Sequence, residues 1–182
     1  IWTIVPAIVL TFLVVKGLVA WNKIMPDVTE EDNYMEIEAT GYQFAWDIRY
    51  PGPDGKLGTK DYRNINLATN PLGMEWSDDK AIDDIILSGS DNIVLPVDTT
   101  VRVRITSKDV LHNFYLPHFR VKMDAIPGLP TYFIFKPIKT TEEYRQELRN
   151  YPEWNVPSDP DDPESDPRWK VFDYELACAE LC

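Results

Sequence analysis

The chain has 182 residues, with 30 Asp and Glu against 18 Lys and Arg and a net charge of −12. That balance argues against a nucleic-acid partner, because such binding is driven by basic side chains that neutralise phosphates. The length suits one domain of ordinary size plus an anchor; the acidity gives solubility in general and, where a basic partner exists, a surface that steers it.

Residues 1–26 open the chain with a membrane signature. Ile1 to Val15 carries no charge, and the apolar character continues to Trp21 with only Lys16 interrupting. A helix over this stretch reaches roughly 30 Å, the thickness of the hydrocarbon core of a bilayer. Lys16 can snorkel to the interface, Trp21 suits the headgroup level, and Pro6 falls near the helix start, where a missing amide hydrogen costs least. A signal peptide is disfavoured by the lack of a basic start and of a small-residue cleavage site. A buried core helix that is apolar all round is unusual in a domain this small.

The composition turns polar and acidic over 27–34, which reads as a linker, and residues 35–182 form the soluble domain. Alternation of Tyr42, Phe44, Trp46, Ile48 and Tyr50 with Gln43, Ala45, Asp47 and Arg49 predicts one strand with five large residues on its core face. Pro51 to Gly55 ends it in a turn. Residues 56–90 are weakly patterned and read as loops around short elements. Asn92 to Ser107 predicts two strands around Pro96-Val97-Asp98, and Thr131 to Phe135 a short apolar strand. Within about 140–170, Thr141 to Asn150 predicts a short helix capped by Thr140 or Thr141, followed by an acidic, proline-rich irregular loop. Phe172, Tyr174 and Leu176 alternate up to Cys178. Many short strands between turn signals indicate a mainly β domain, a sandwich or a barrel.

Two motifs carry chemistry. Cys178-Ala179-Glu180-Leu181-Cys182 offers two thiols, a backbone carbonyl and a carboxylate in a short stretch, and His112 in Asp109-Val110-Leu111-His112 adds an imidazole. Thiolate with imidazole suits copper or zinc, whereas carboxylate-only sets suit magnesium or calcium. A plain disulfide between Cys178 and Cys182 is the competing reading.

Asp109 to Gly128, DVLHNFYLPHFRVKMDAIPG, resembles the segment that carries the first histidine ligand in subunit II of the haem-copper cytochrome c oxidases. The terminal CAELC resembles that family's loop of bridging cysteines, and IWTIVPAIVL the start of its second transmembrane helix. The resemblance implies a cupredoxin-like Greek-key β-barrel on an N-terminal membrane helix, with a dinuclear copper centre, CuA. Cys178 and Cys182 would bridge the coppers, His112 would bind one through its ring, and the Glu180 carbonyl would bind the other. The Glu180 side chain would face a magnesium or manganese ion at the boundary with subunit I, near Asp124. Trp46 and Phe44 would mark electron entry, with Phe44 standing where the family commonly has tryptophan; that difference raises the alternative of a fused or permanently docked c-type donor. Leu129 stands where the family commonly has arginine. His118 and Met123 lie near the motif but match no ligand position.

The family also has an earlier helix, a glutamate before the Ile1-Trp2 pair, and a His and a Met after the second cysteine, so the resemblance implies a chain truncated at both ends. The implied function is electron relay from a c-type cytochrome to haem in subunit I, where oxygen is reduced to water, with subunit I, other oxidase subunits and the bilayer as partners. The soluble domain would lie on the extracytoplasmic side, periplasmic or intermembrane-space, the bacterial inner membrane being favoured. The alternatives are a copper-free quinol oxidase subunit II, opposed by the cysteine pair; a nitrous-oxide reductase copper domain, opposed by the membrane helix; and a membrane-tethered copper chaperone or structural domain.

Overall fold

The computed structural model describes residues 2–26, 28–29, 33–89 and 92–180. The chain divides into two units, residues 1–34 and 35–182.

The first unit is helix α1, Ile4–Ile24, with Thr3 at its N-cap and Met25 at its C-cap, where the Met25 N–H closes on the Trp21 carbonyl at 2.8 Å. It is 21 residues long with a mean hydropathy of 2.2, and none of its residues is buried. A helix apolar on every side with no core to enter has the length and composition to cross a membrane. Lys16, its one interior charge, folds back over the Phe12 ring, 5.3 Å from the centroid.

The second unit is mainly β. Strands β1 (Tyr34–Tyr42), β2 (Ala45–Tyr50), β3 (Ile85–Gly89), β4 (Thr100–Ser107) and β7 (Thr131–Phe135) form a five-stranded sheet in the order β3-β2-β1-β4-β7. Strands β5 (His112–Leu116), β6 (Val121–Ala125) and β8 (Ala177–Cys178) form a second sheet in the order β6-β5-β8. With its apolar helix, this mainly β arrangement of two sheets is the cupredoxin-like class that the family resemblance implies.

The core between the sheets comes from strict alternation. In β4 Val101, Val103 and Ile105 are fully buried while Arg102 and Arg104 turn outward toward Glu36 at 3.6 and 3.7 Å. Ile37, Ala39 and Ile48 close on them from β1 and β2, and Phe114, Leu116, Val121 and Ala125 from the second sheet. Burying a side chain of this size contributes about 1.5–3 kcal/mol, which makes this pattern the main determinant of register.

The sequence expectation fails in an instructive way at residues 42–50. They do not form one strand: β1 ends at Tyr42, Gln43 and Phe44 make a turn, and β2 returns antiparallel with Tyr42 opposite Ala45. Phe44 is 92% exposed with φ 69°, so it is no part of a core wall. Both faces of β2 are buried, because residues 51–84 fold back over its polar side. Arg49, 1% exposed, donates from Nε to Glu38 Oε2 at 2.9 Å and from Nη1 to the Gly58 carbonyl at 2.9 Å and Asp84 Oδ2 at 2.8 Å. The excursion packs close enough that a Cβ on Gly58 would lie 2.3 Å from the Ala81 backbone.

Two further differences follow from hydrogen bonding rather than hydrophobicity. Asn92 to Pro96 makes no ladder, although Ile93 and Leu95 pack on the core, and the strand of this region is β3. Phe172 to Leu176 alternates in burial, but only Ala177 and Cys178 pair with β5.

Thr131–Phe135 forms β7 as expected, and so does the helix in the 140–170 stretch. Helix α2, Thr141–Leu148, starts at a reciprocal capping box between Thr140 and Glu143. The stretch is pinned to the barrel by an aromatic cluster in which His118 meets Phe172 edge-on at 4.8 Å, Tyr144 stacks on Tyr174 at 5.6 Å and Trp154 meets Phe172 at 5.7 Å. Arg145 adds hydrogen bonds to the Phe172 carbonyl at 2.7 Å and Asp173 at 2.9 Å.

Candidate metal centre

His112 opens β5 and Cys178 closes β8, so the pairing of these two strands brings the two motifs together. Cys178 Sγ lies 3.8 Å from His112 Nδ1 and 3.7 Å from the Glu180 carbonyl oxygen, which gathers a thiol, an imidazole and a carbonyl at one place. Such a soft, mixed donor set fits copper and has no use for magnesium or calcium. Cys182 lies outside the described residues, and among those described no three His, Cys, Asp or Glu side chains form a metal-binding group.

The imidazole is buried, 1% exposed, and held from behind. Asp109 Oδ1 lies 2.7 Å from His112 Nε2, which leaves Nδ1 to face the thiol. A carboxylate on the far nitrogen is the usual way to fix a metal-binding histidine's tautomer and ring plane. The same carboxylate accepts the N–H of Val110 at 2.7 Å through Oδ1 and the N–H of Gln43 at 2.8 Å through Oδ2. Burial opposes ionisation of Asp109, but the His112, Val110 and Gln43 hydrogen bonds outweigh it and hold the carboxyl at about 2. For His112 burial likewise opposes the charge, and the contacts with Asp109 and Cys178 raise its pKa above the ordinary imidazole value.

Neighbouring rings complete the wall. Trp46 meets His112 edge-on at 6.1 Å and Phe114 at 5.6 Å. Gly41 supplies the room: a Cβ there would lie 3.1 Å from Trp46 Cζ3 and 3.2 Å from His112 Cβ and Cδ2. Neither Asp109 as a partner of His112 nor Gly41 is identifiable as part of the site from composition or alternation. The Asp-x-x-His spacing is the one signal that points to Asp109.

The family described as cytochrome c oxidase subunit II, periplasmic domain, matches residues 35–139. The chain belongs to the cytochrome c oxidase subunit II family. It is 43% identical over 128 residues to the alternative cytochrome c oxidase subunit 2 of Bradyrhizobium diazoefficiens, covering 70% of this chain and 44% of that protein. To cytochrome c oxidase subunit 2 of Metridium senile it is 35% identical over 131 residues, covering 70% of this chain and 47% of the relative. The corresponding protein of Cereibacter sphaeroides is 32% identical over 136 residues, covering 70% and 43%. The chain thus spans about half the length of the curated relatives it matches. Among solved structures, the periplasmic domain of subunit II of cytochrome oxidase from Bradyrhizobium japonicum is 32% identical, covering 62% of this chain and 70% of that one, with a TM-score of 0.39.

Within this subunit II chain the remaining expected residues fall as follows. Trp46 is half-buried against His112, whereas Phe44 stands out at the β1–β2 tip. Asp124 is exposed on β6; its Oδ1 accepts from Asn113 Nδ2 at 2.7 Å, one residue from His112, and its carbonyl accepts from Thr131 at 2.7 Å. Glu180 is exposed. His118 belongs to the aromatic cluster at the other end of β5, and Met123 packs on the core.

Proposed function

We propose that the chain is the electron-relay subunit of a terminal respiratory oxidase, holding a dinuclear copper centre between a c-type cytochrome donor and the haem of subunit I, where oxygen is reduced to water. The observation that carries this reading is the approach of Cys178 Sγ to His112 Nδ1 at 3.8 Å, with the Asp109 carboxylate behind the ring. Cys178 and Cys182 would hold the two ions together with His112 through Nδ1 and Glu180 through its carbonyl. The group, when bound, supplies a one-electron store whose charge is shared between two ions through soft thiolates.

The chain's own residues set the conditions for that store. Asp109 holds the imidazole in one orientation, so little rearrangement accompanies a change of charge. Trp46, itself packed edge-on against Phe114, covers one side of the ring. Trp46 and Phe44 are the proposed entry points for electrons, one touching His112 and one reaching solvent. The Glu180 carboxylate, near the boundary marked by Asp124, would help to hold magnesium or manganese together with oxygens from subunit I and water. The soluble domain would lie outside the bacterial inner membrane, where the acidic surface favours a basic donor.

A copper-free quinol oxidase subunit has no reason to place a thiol against a carboxylate-backed histidine, and a copper chaperone needs exposed, exchangeable ligands, whereas His112 is 1% exposed. Copper analysis and electron paramagnetic resonance on the oxidase complex purified with the full-length chain decide the matter. Two coppers with a delocalised mixed-valence signal are expected; one copper, zinc, or a Cys178–Cys182 disulfide in the active complex would overturn the reading.

A further inference from the structure

Asp109 does more than back His112. Its two oxygens serve two separate elements: Oδ1 lies 2.7 Å from His112 Nε2 on β5, and Oδ2 accepts the backbone N–H of Gln43, at the tip of the β1–β2 hairpin, at 2.8 Å. The next residue, Phe44, is 92% exposed and sits at φ 69°, a backbone region that bulky side chains avoid. The surroundings of this carboxylate are well built. The Ser107 hydroxyl donates to the Val110 carbonyl at 2.5 Å, the Lys108 N–H donates to the Gly41 carbonyl at 3.0 Å, and Lys108 pairs with Asp47 across the same hairpin.

We propose that Asp109 is a positioning residue that joins the hairpin tip and the His112 ring into one unit, so that the conformation of the exposed Phe44 tip sets the orientation of the metal-binding histidine. The proposal rests on the copper reading above. It makes the tip a contact through which a docked partner can bias the metal site without touching a ligand. A carboxylate is the only side chain of this size able to do this, because each oxygen faces a donor. An amide in its place would keep one acceptor and turn its NH2 toward the other donor.

Two substitutions separate this role from a merely structural one. Asp109→Asn keeps shape but can satisfy only one of His112 and Gln43. Gln43→Pro touches neither His112 nor copper; it removes the N–H that Asp109 accepts and sets the ring Cδ in its place, so that Oδ2 must move off the tip. Gln43 precedes the positive-φ residue of a two-residue turn, the place where proline is favoured, and Tyr42 before it is extended, as a residue preceding proline must be.

The experiment uses the copper-loaded complex with the full-length chain. Copper retention is measured against a chelator, the histidine hyperfine coupling by electron–nuclear double resonance, and exchange of the Gln43 amide by hydrogen–deuterium exchange in the wild type and in Asp109→Asn. Copper retention should weaken by about 10- to 100-fold in Asp109→Asn, the usual cost of losing a carboxylate behind a metal-binding histidine. It should weaken by about threefold to tenfold in Gln43→Pro, the equivalent of one hydrogen bond, with a shifted His112 coupling in both variants. The Gln43 amide should exchange at least about tenfold faster in Asp109→Asn. Gln43→Pro with unaltered retention and unaltered His112 coupling would overturn the proposal, as would a Gln43 amide equally protected in Asp109→Asn. Should Asp109→Asn fail to accumulate, Gln43→Pro decides alone. Absence of a copper pair from the wild-type complex would instead defeat the copper reading, and the Gln43 exchange comparison would still test the link between tip and carboxylate.

Discussion

Cys178 Sγ and His112 Nδ1, 66 residues apart in the chain, approach to 3.8 Å because the two-residue strand β8 pairs with β5, placing Cys178 opposite Phe114. The proposed metal centre therefore depends on a very short ladder whose position is fixed from both sides: by the buried β5 residues Phe114 and Leu116, and by Phe172, Tyr174 and Leu176 leading into β8.

Cys178→Ser should abolish the copper signal of the purified complex, since a hydroxyl is a hard and poor substitute for a bridging thiolate. His112→Ala should lower copper content and alter the spectrum of what remains. His118→Ala should leave both unchanged and cost about 1 kcal/mol of stability, the worth of its edge-on contact with Phe172. Copper content with electron paramagnetic resonance checks the first two and urea denaturation the third. Loss of the copper signal in His118→Ala would place the wrong histidine at the site.

Gly41→Ala tests how closely the histidine is packed. The added methyl would stand 3.1 Å from Trp46 Cζ3 and 3.2 Å from His112 Cβ, with both rings held by neighbours, so something must shift by a few tenths of an ångström. Overpacking of this kind costs about 1–3 kcal/mol. The midpoint of urea denaturation should fall accordingly, and the copper spectrum should change although no ligand has been touched. An unaltered spectrum would mean that the His112 side is loosely packed.

The buried charge cluster behind β2 gives a pH prediction with an unusual sign. Burial raises the pKa of Asp84 above 3.8, outweighing the lowering effects of the Gly58 N–H and of Arg49. A carboxyl with a raised folded pKa binds its proton more tightly folded than unfolded, so this group's contribution to stability increases as pH falls through the raised value toward 3.8. Asp84→Asn cannot titrate and should cost about 1–3 kcal/mol at neutral pH through a weaker partner for Arg49. The stability gap between wild type and variant should therefore widen as pH falls from neutral toward 3.8. Urea denaturation over a pH series measures the gap; a gap that narrows on acidification would show that Asp84 is an ordinary ion-pair carboxylate.

How much of this the sequence revealed depended on what each signal encodes. Helix α1, the alternation Val101-Val103-Ile105 in β4, strand β7 and the Thr140 cap are all set by local chemistry, and they were legible. The β1–β2 tip was not, because Tyr42, Phe44, Trp46, Ile48 and Tyr50 keep alternating straight through it with no Gly, Asn or Pro to mark the turn. The price of omitting glycine there is the positive φ at Phe44. Strand β3 was hidden because Ile85 and Ile86 are exposed, so it lacks the alternation that a half-buried strand shows. At the site, the motifs named His112 and Cys178, and the Asp-x-x-His spacing alone points to Asp109; the link from Asp109 to Gln43 and the role of Gly41 arise from contacts between distant elements, which no local pattern contains.

Glu180 offers two different ligands from one residue, and they can be separated. Its carbonyl oxygen lies 3.7 Å from Cys178 Sγ, on the copper side, and that oxygen is present whatever the side chain. Its carboxylate belongs to an exposed residue and is proposed to face a hard cation shared with subunit I. Hard divalent cations prefer charged oxygen, so an amide in the same place is a weaker ligand. Glu180→Gln should therefore lower magnesium or manganese occupancy of the complex while copper content and the copper spectrum stay near those of the wild type. Cys178→Ser should do the reverse, removing copper first. Measuring both metals on each purified variant is the test. Equal loss of copper in Glu180→Gln would mean that the side chain, not the backbone, serves the copper, and unchanged hard-metal occupancy would remove Glu180 from the subunit boundary.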